Sequence, residues 1–265
     1  MLQSVLQATY DAGKRIEAVR ASGVTVRDKA DASPVTEADH AADEILHTRL
    51  LALADIGWLS EETVDAPERL QASDLWIVDP LDGTREFIMG LPEYTVAVAL
   101  IRDGQPALGV VHNPSTDDTF WAERGKGAFR NGKPIRVVEG PRLLASRSEL
   151  KRGEFEPFNA EWDVQPVGSI EYKLALIAAG DGAVTLSRGP KHEWDVCAGA
   201  LIVEEAGGRA TDLFGGPLIY NQSFPKVRGI LAGAPGAYDR AATRIAESGA
   251  SDRMGEFADI PRTSR

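Results

Sequence analysis

Three short apolar runs follow one another with only turns between them, and this restricts the fold more than any other feature of the sequence. The runs are Thr95 to Ile101, Ala107 to His112 and Thr119 to Ala122, each with the length and residue types of a β-strand. Asp103-Gly104 separates the first two, and Asn131-Gly132 follows the third; both are dipeptides typical of tight hairpin turns. Because hairpins in series break a strict strand-helix-strand order, we predict an α+β chain with mixed or antiparallel sheets in layers.

Helical and strand patterns continue on both sides of these hairpins. Apolar residues at a period near 3.6 predict helices at Leu2 to Arg20, Thr36 to Leu53, Ile170 to Ala179, Trp194 to Ala206 and Tyr238 to Glu247. Apolar runs predict further strands at Ile56 to Leu59, Trp76 to Val78, Leu143 to Ser146, Val184 to Leu186 and Ile230 to Ala232. Glu139-Gly140-Pro141 interrupts the pattern. We therefore expect one compact unit with an N-terminal half, residues 1–140, a C-terminal half, residues 141–265, and a frayed tail from Ser248.

Charge and cysteine content exclude several classes of protein. Against 29 Lys and Arg stand 40 Asp and Glu, a net charge of −11, and an anionic surface repels nucleic-acid polymers. No apolar run reaches ~18 residues and the N-terminus lacks a signal-peptide pattern, so we expect no membrane segment. The single Cys197 cannot form an internal disulfide and lies in an apolar helical pattern, which favours core packing and a cytosolic location.

Two carboxylates follow a buried strand in the segment Trp76 to Thr84. Asp79 and Asp82 are three residues apart, a spacing at which they can share divalent cations with the carbonyl oxygen of Leu81. The backbone N–H groups of Gly83 and Thr84 then offer a cradle for phosphate. The alternative interpretation is a turn in which both aspartates cap the backbone that follows.

Carboxylates also lie at the ends of two other predicted elements. Glu61-Glu62 comes directly after a strand, and Asp195 opens an apolar helix. Taken separately, the first pair fits a solvated loop and the second an ordinary helix N-cap. Three element ends that all present carboxylates are instead what a site with several metal ions requires.

These motifs resemble the inositol monophosphatase superfamily in order and spacing, from about Lys29 to Gly208. The matching motifs are Asp79-Pro80-Leu81-Asp82-Gly83-Thr84, Glu61-Glu62, Trp194-Asp195, Ala198-Gly199 and Glu205-Ala206-Gly207-Gly208. The resemblance implies a layered αβαβα sandwich and a homodimeric phosphomonoesterase that acts on a small phosphate ester. It also implies dependence on two or three Mg²⁺ ions and inhibition by Li⁺.

Carried over residue by residue, the resemblance implies metal ligands and catalytic groups. Glu61, Asp79 and the Leu81 carbonyl would hold a first Mg²⁺, and Asp79, Asp82 and Asp195 a second. Thr84 and Asp39 would orient the attacking water beside the metal ligand Glu61. Asp39 also stands three residues after Thr36, as in a capping box, and we weigh the two roles equally. We expect direct in-line hydrolysis by metal-activated water without a phosphoenzyme.

The substrate stays open between two branches of the superfamily. CysQ-type 3'(2'),5'-bisphosphate nucleotidases are resembled by Lys29-Ala30-Asp31, Ser146-Arg147-Ser148, Gly168-Ser169, Lys173 and Glu193. Against this branch, Leu91 to Ala97 lacks the Glu-Phe-Thr-Val-Asn run that is usual there, and Gly109 to Pro114 and Gly125 to Phe129 resemble inositol monophosphatases. The substrate-binding residues we expect are Asp82, Gly83, Thr84, Arg147, Gly168, Ser169, Lys173 and Glu193. A second phosphate needs cations outside the metal cluster, for which Arg147 and Lys173 are candidates, while Glu193 suits an inositol hydroxyl.

We favour the bisphosphate nucleotide, with inositol 1-phosphate or another polyol phosphate as the alternative. A non-catalytic module that binds metal or a phosphorylated metabolite is a further alternative of a different class. It is disfavoured because Glu61, Asp79, Asp82, Thr84 and Asp195 are all present. The histidines His40, His47, His112 and His192 lack the spacing of metal ligands and receive no role.

Overall fold

The computed structural model describes residues 1–23, 25–28, 34–248 and 260. Two long helices, α1 (Leu2–Ser22) and α2 (Glu37–Leu53), form the first layer. An antiparallel pair, β1 (Val26–Asp28) and β2 (Pro34–Thr36), lies between them in the chain. A capping box of Thr36 and Asp39 begins α2, which satisfies N–H groups that a helix leaves free at its start.

A seven-stranded sheet forms the second layer, in the order β3-β4-β5-β6-β7-β8-β9. The strands are β3 (Gly57–Ser60), β4 (Asp74–Asp82), β5 (Thr95–Arg102), β6 (Gln105–Asn113), β7 (Asp118–Glu123), β8 (Ala128–Arg130) and β9 (Lys133–Ile135). β3 runs parallel to β4, and every later pair is antiparallel. Asp103-Gly104 and Asn131-Gly132 take positive φ angles, so the hairpins predicted at these dipeptides are confirmed.

The third layer consists of α5 (Ile170–Ala178) and α6 (Cys197–Glu205), and the fourth is a five-stranded mixed sheet in the order β11-β10-β12-β16-β14. These strands are β10 (Arg142–Ala145), β11 (Asp163–Pro166), β12 (Val184–Ser187), β14 (Arg209–Thr211) and β16 (Ile230–Gly233). Helix α7 (Pro235–Glu247) covers the outer face of this sheet. The smaller elements are α3 (Thr84–Met89), α4 (Arg147–Lys151), the pair β13 (Lys191–His192) and β15 (Lys226–Val227), and 3-10 turns at Pro67–Gln71 and Glu156–Phe158.

Three apolar clusters bind the layers together. One joins α1 and α2 to one face of the large sheet, with Trp76 fully buried. The second places α5 and α6 between the two sheets and includes Cys197. The third holds α7 against the small sheet. The layers therefore follow the order αβαβα, and the expected α+β sandwich and the core position of Cys197 are confirmed.

The structure corrects the ends of several predicted elements. β4 continues through Pro80 to Asp82 and does not stop at Val78; a register shift against β5 between Asp79 and Asp82 lets it pass the proline, which has no N–H to donate. α6 begins at Cys197, with Val196 as its N-cap residue. The predicted start at Trp194 is therefore wrong, and Asp195 is not the helix N-cap that its alternative interpretation required.

The structure does not test the expected division into halves, nor the expectations that concern residues outside the described ranges. The segment between the two sheets, residues 136–141, includes the proposed boundary at residue 140, and the division into halves stays a prediction. Lys29-Ala30-Asp31 and most of the tail that begins at Ser248 lie outside the described residues. In the described part of the chain, no helix has both the length and the apolar character needed to cross a bilayer.

Candidate active site

The carboxylates Glu61 and Asp79 come together because β3 and β4 are parallel. Ser60 is in register with Val78, and the backbone N–H of Glu61 donates to the Val78 carbonyl at 3.3 Å. The residues that follow this register pair, Glu61 and Asp79, therefore lie side by side where β3 ends and β4 continues. Asp79 is only 1% exposed, and its Oδ1 accepts a hydrogen bond of 3.0 Å from the N–H of Leu81.

The electrostatics of Asp79 identify its neighbours. Burial raises the pKa of Asp79 well above its ordinary value, and the negative charges of Glu61, Asp82 and Asp195 raise it further. Burial also raises the pKa of Asp195 to about 6, against the opposing effect of Lys191. Three segments of the chain therefore bring four carboxylates near one another, where divalent cations would relieve their repulsion.

The donor set fits Mg²⁺ in chemistry, because it consists of oxygen atoms alone. Within the described residues, no three acidic, histidine or cysteine side chains are placed to hold one ion as they stand. Asp82 Oδ2 accepts from the Ser169 hydroxyl and the Glu171 N–H, each at 2.6 Å, and Asp195 Oδ2 from the His192 N–H at 2.8 Å. Rotation of these short side chains would be needed to converge on a cation.

Asp39 has both contacts that its two alternative roles require. Its Oδ2 accepts from the N–H and the hydroxyl of Thr36, at 2.8 and 2.7 Å, so the capping role is confirmed. Its Oδ1 accepts from the hydroxyl of Thr84 at 3.1 Å. The Leu81 carbonyl lies at the same distance from that hydroxyl, which has one proton and can serve one of the two acceptors at a time. The catalytic role of Asp39 stays a prediction.

Gly83 allows the end of β4 to lie close to its neighbours. It has φ +97°, and a Cβ atom there would lie 2.7 Å from the carbonyl oxygen of Glu93 and 3.2 Å from the Cβ of Ser169. Both the left-handed backbone and the close approach require glycine. The N–H groups of residues 83 and 84 are thereby fixed beside Asp82.

Arg147 is tied to an acidic neighbour at the rim of the site. Its guanidinium donates to both carboxylate oxygens of Glu93, and Glu86 lies at 3.7 Å. Burial alone would raise the pKa of Glu93, but hydrogen bonds from Arg147 and from the Gly168 N–H hold it below its ordinary value. The positive charge of Arg147 is therefore already balanced by a carboxylate.

Lys173 is a buried cation in α5. It is 2% exposed, and its Nζ donates to the carbonyls of Ser169 at 2.8 Å and Val167 at 3.3 Å. Burial lowers the pKa of Lys173 to about 8. Ser169 is the N-cap residue of this helix, and its hydroxyl accepts from the Tyr172 N–H at 2.9 Å.

One cavity of about 870 Å³ brings most of the expected site residues together. They are Glu61, Asp79, Leu81, Asp82, Gly83, Thr84, Arg147, Gly168, Ser169, Lys173 and Asp195. Asp39 and Glu193 are not among its lining residues. Glu193 is fully buried, and its two oxygens accept from the N–H groups of Asn221 at 2.7 Å and Gln222 at 2.8 Å. These contacts position residues 221 and 222, and the substrate contact expected for Glu193 stays a prediction.

The sequence reasoning missed three residues near this cavity. Glu171 is fully buried in α5, and its carboxylate accepts from the N–H groups of Ala198 and Gly199 at the start of α6. Lys191 and Glu149 line the cavity from the C-terminal half of the chain. An acidic residue inside an apolar helical run was the available signal for Glu171, whereas nothing in the local pattern distinguishes Lys191 or Glu149 from surface residues.

Comparisons with known proteins identify the family of this chain. Residues 1–250 match the family model described as the inositol monophosphatase family. The chain is 34% identical over 242 residues to a 3'(2'),5'-bisphosphate nucleotidase CysQ from Aggregatibacter actinomycetemcomitans, covering 84% of this chain and 88% of the relative. It is 35% identical over 237 residues to an inositol-1-monophosphatase from Rhizobium meliloti (strain 1021), with 82% and 86% covered. An IMPase structure from Thermotoga maritima matches with a TM-score of 0.84 at 26% identity, covering 96% of this chain and 99% of that one.

Proposed function

Because the chain belongs to the inositol monophosphatase family and is a hydrolase of phosphoric monoesters, we propose that it removes one phosphate from a 3'(2'),5'-bisphosphate nucleotide. One observation carries the proposal: a single cavity joins the carboxylates around Asp79 to the cations Arg147 and Lys173. A second phosphate on the substrate needs positive groups outside the metal cluster. Inositol 1-phosphate has no such need.

Members of this family generally depend on Mg²⁺. We assign the first ion to Glu61, Asp79 and the Leu81 carbonyl, and a second to Asp79, Asp82 and Asp195. Bound Mg²⁺ would supply an acidified water near neutral pH and positive charge at the leaving oxygen. The mutual repulsion of the acids around Asp79 supports this assignment.

Side chains and backbone groups of the chain orient the attacking water and bind the two phosphates. When the Thr84 hydroxyl donates to Asp39, its lone pairs can accept a hydrogen bond from the attacking water and orient it. The N–H groups of Gly83 and Thr84 are assigned to the phosphate oxygens. Arg147 and Lys173 are assigned to the second phosphate, with Arg147 exchanging Glu93 for the substrate.

Phosphate release from 3'-phosphoadenosine 5'-phosphate and from inositol 1-phosphate tests this function. We expect kcat/KM to be at least about tenfold higher for the nucleotide, and release to stop when Mg²⁺ is chelated. Asp79→Asn should abolish turnover while keeping the fold, because the amide oxygen can still accept from Leu81. Asp55 is exposed, so Asp55→Asn makes the same chemical change away from the cavity and serves as the control.

The same experiment distinguishes the proposed function from a polyol phosphatase and from a non-catalytic binding module. Equal or faster turnover of inositol 1-phosphate would assign the chain to the polyol branch, which the pairing of Arg147 with Glu93 favours. No release from either ester at saturating Mg²⁺ would leave the non-catalytic binding module. Two or three bound ions, inhibition by Li⁺, a homodimer and a cytosolic location also remain proposals for this chain.

A further inference from the structure

Glu149 is a buried carboxylate of the cavity that the reaction above does not use. It lies in α4, is 3% exposed and lines the cavity together with Ser146, Ser148 and Ser187. Its Oε1 accepts from the Ser187 hydroxyl at 2.6 Å and from the Arg188 N–H at 3.1 Å. Its Oε2 is buried and has no hydrogen-bond partner among the residues that the structure describes.

A buried carboxylate oxygen without a hydrogen bond lowers the stability of the fold. Such atoms are therefore rare unless a ligand or a water molecule donates a hydrogen bond to them. The two bonds to Oε1 hold the carboxylate group in place, so Oε2 cannot turn to another protein donor without breaking them. Glu149 therefore presents a fixed acceptor inside the cavity that holds the proposed metal ligands.

The surroundings of Glu149 select the class of group that it accepts from. A phosphate would be repelled by the carboxylate. A cation would be repelled by Lys173, which interacts electrostatically with Glu149, and by Lys191, which lines the same cavity. A neutral donor can form a hydrogen bond to Oε2 without repulsion from the carboxylate or from the lysines. A hydroxyl group can in addition exchange hydrogen bonds with the serine hydroxyls that line the cavity.

We propose that Glu149 binds a hydroxyl of the sugar or polyol that carries the phosphate, as a specificity-determining residue beyond the metal cluster. The inference rests on the proposed phosphatase function and adds the part of the substrate that the C-terminal half of the chain recognises. A ribose and an inositol ring both supply such a hydroxyl, and the test separates them.

Two substrate pairs differ in the relevant hydroxyls. 3'-Phosphoadenosine 5'-phosphate is compared with its 2'-deoxy analogue, and inositol 1-phosphate with cyclohexyl phosphate, which has the same type of leaving group without the ring hydroxyls. We expect kcat/KM of the unaltered enzyme to favour the hydroxyl-bearing member of at least one pair by about tenfold, the effect of one charge-assisted hydrogen bond. The pair that shows the preference identifies the hydroxyl as ribose or inositol.

Glu149→Gln keeps an oxygen for Ser187 and Arg188 and replaces the free acceptor by an amide N–H₂. This variant should reduce that preference about fivefold to tenfold. Glu154→Gln is the matched control, because Glu154 is a buried acid close in the chain that does not line the cavity, and it should keep the preference. Calorimetric titration of the two nucleotides provides a readout that does not depend on turnover.

The outcomes separate this inference from the function on which it rests. If the unaltered enzyme shows no preference in either pair, or if Glu149→Gln keeps the preference in full, Glu149 does not bind substrate, although phosphatase activity stands. If no ester is hydrolysed, the proposed function is wrong, and the titration alone decides: equal affinity for the ribose and deoxyribose nucleotides overturns the role of Glu149.

Discussion

The hydroxyl of Thr84 donates to Asp39 Oδ1 at 3.1 Å, although 45 positions separate the two residues in the sequence. The other oxygen of Asp39 belongs to the capping box of α2. One carboxylate therefore connects the start of α3, just after β4, to the start of α2. A change at Thr84 removes the proposed catalytic contact and leaves the helix cap intact.

Thr84→Ala should lower kcat about 100-fold with little change in melting temperature, because it removes the hydroxyl that orients water but no core contact. Thr84→Ser keeps the hydroxyl and should retain most of the activity. Asp39→Asn should lower both activity and stability, the latter by about 1 kcal/mol for a weakened cap. Steady-state kinetics and thermal unfolding measure the two effects. Normal turnover by Thr84→Ala would contradict the water-orienting role.

Glu93→Gln should favour the bisphosphate nucleotide, because it removes the negative charge that competes with a second phosphate for Arg147. We expect KM for 3'-phosphoadenosine 5'-phosphate to fall about threefold to tenfold, with a much smaller change for inositol 1-phosphate. Arg147→Ala should act in the opposite direction on the nucleotide alone. Glu44→Gln, at an exposed position, controls for net charge. An equal effect of Arg147→Ala on both esters would show that Arg147 does not bind a second phosphate.

Gly83→Ala should destabilise the protein more than Gly104→Ala. Both glycines have positive φ angles, +97° and +75°, but a Cβ atom meets the Glu93 carbonyl oxygen at 2.7 Å at position 83 and nothing within 4 Å at position 104. The difference in the free energy of unfolding isolates the close approach and should be about 1–3 kcal/mol. Denaturant unfolding of both variants measures it, and equal losses would mean that the backbone can move to admit a methyl group.

His112 should make stability depend on pH. Burial lowers its pKa below the ordinary value of 6.5, against the opposing charges of Asp117 and Asp118. The neutral ring is favoured in the folded state, so its contribution is fully present above pH 6.5 and is lost as pH falls through the lowered pKa. Urea unfolding from about pH 8 to about pH 5 should therefore show a steeper loss for the unaltered protein than for His112→Gln. Identical slopes would assign the acid sensitivity to other groups.

The hydrophobic pattern of the sequence predicted most of the helices and strands, because each buries a periodic apolar face. The same pattern located the candidate carboxylates, because Asp79 and Asp82 directly follow an apolar run. The turn dipeptide Asp103-Gly104 likewise marked a hairpin. It failed where the local signal was weak: the short pairs β1-β2 and β13-β15 have no periodicity to read. It also misplaced the start of α6, where apolar residues before Cys197 extend the helical pattern into a turn.

Residue types and their order along the chain thus predicted an α+β chain with layered sheets and carboxylates at three element ends. The resemblance to the inositol monophosphatase superfamily added the αβαβα order and the candidate metal ligands. Only the tertiary structure decided which partners those residues meet. Arg147 looked like a free cation in the sequence, yet folding places Glu93 against it, and Glu193 turned out to hold residues 221 and 222. Glu149, which carries no sequence signal, became a buried acceptor in the cavity. The reason is physical: periodicity reports which face of an element is buried, whereas charge pairing and desolvation depend on contacts between segments far apart in the chain.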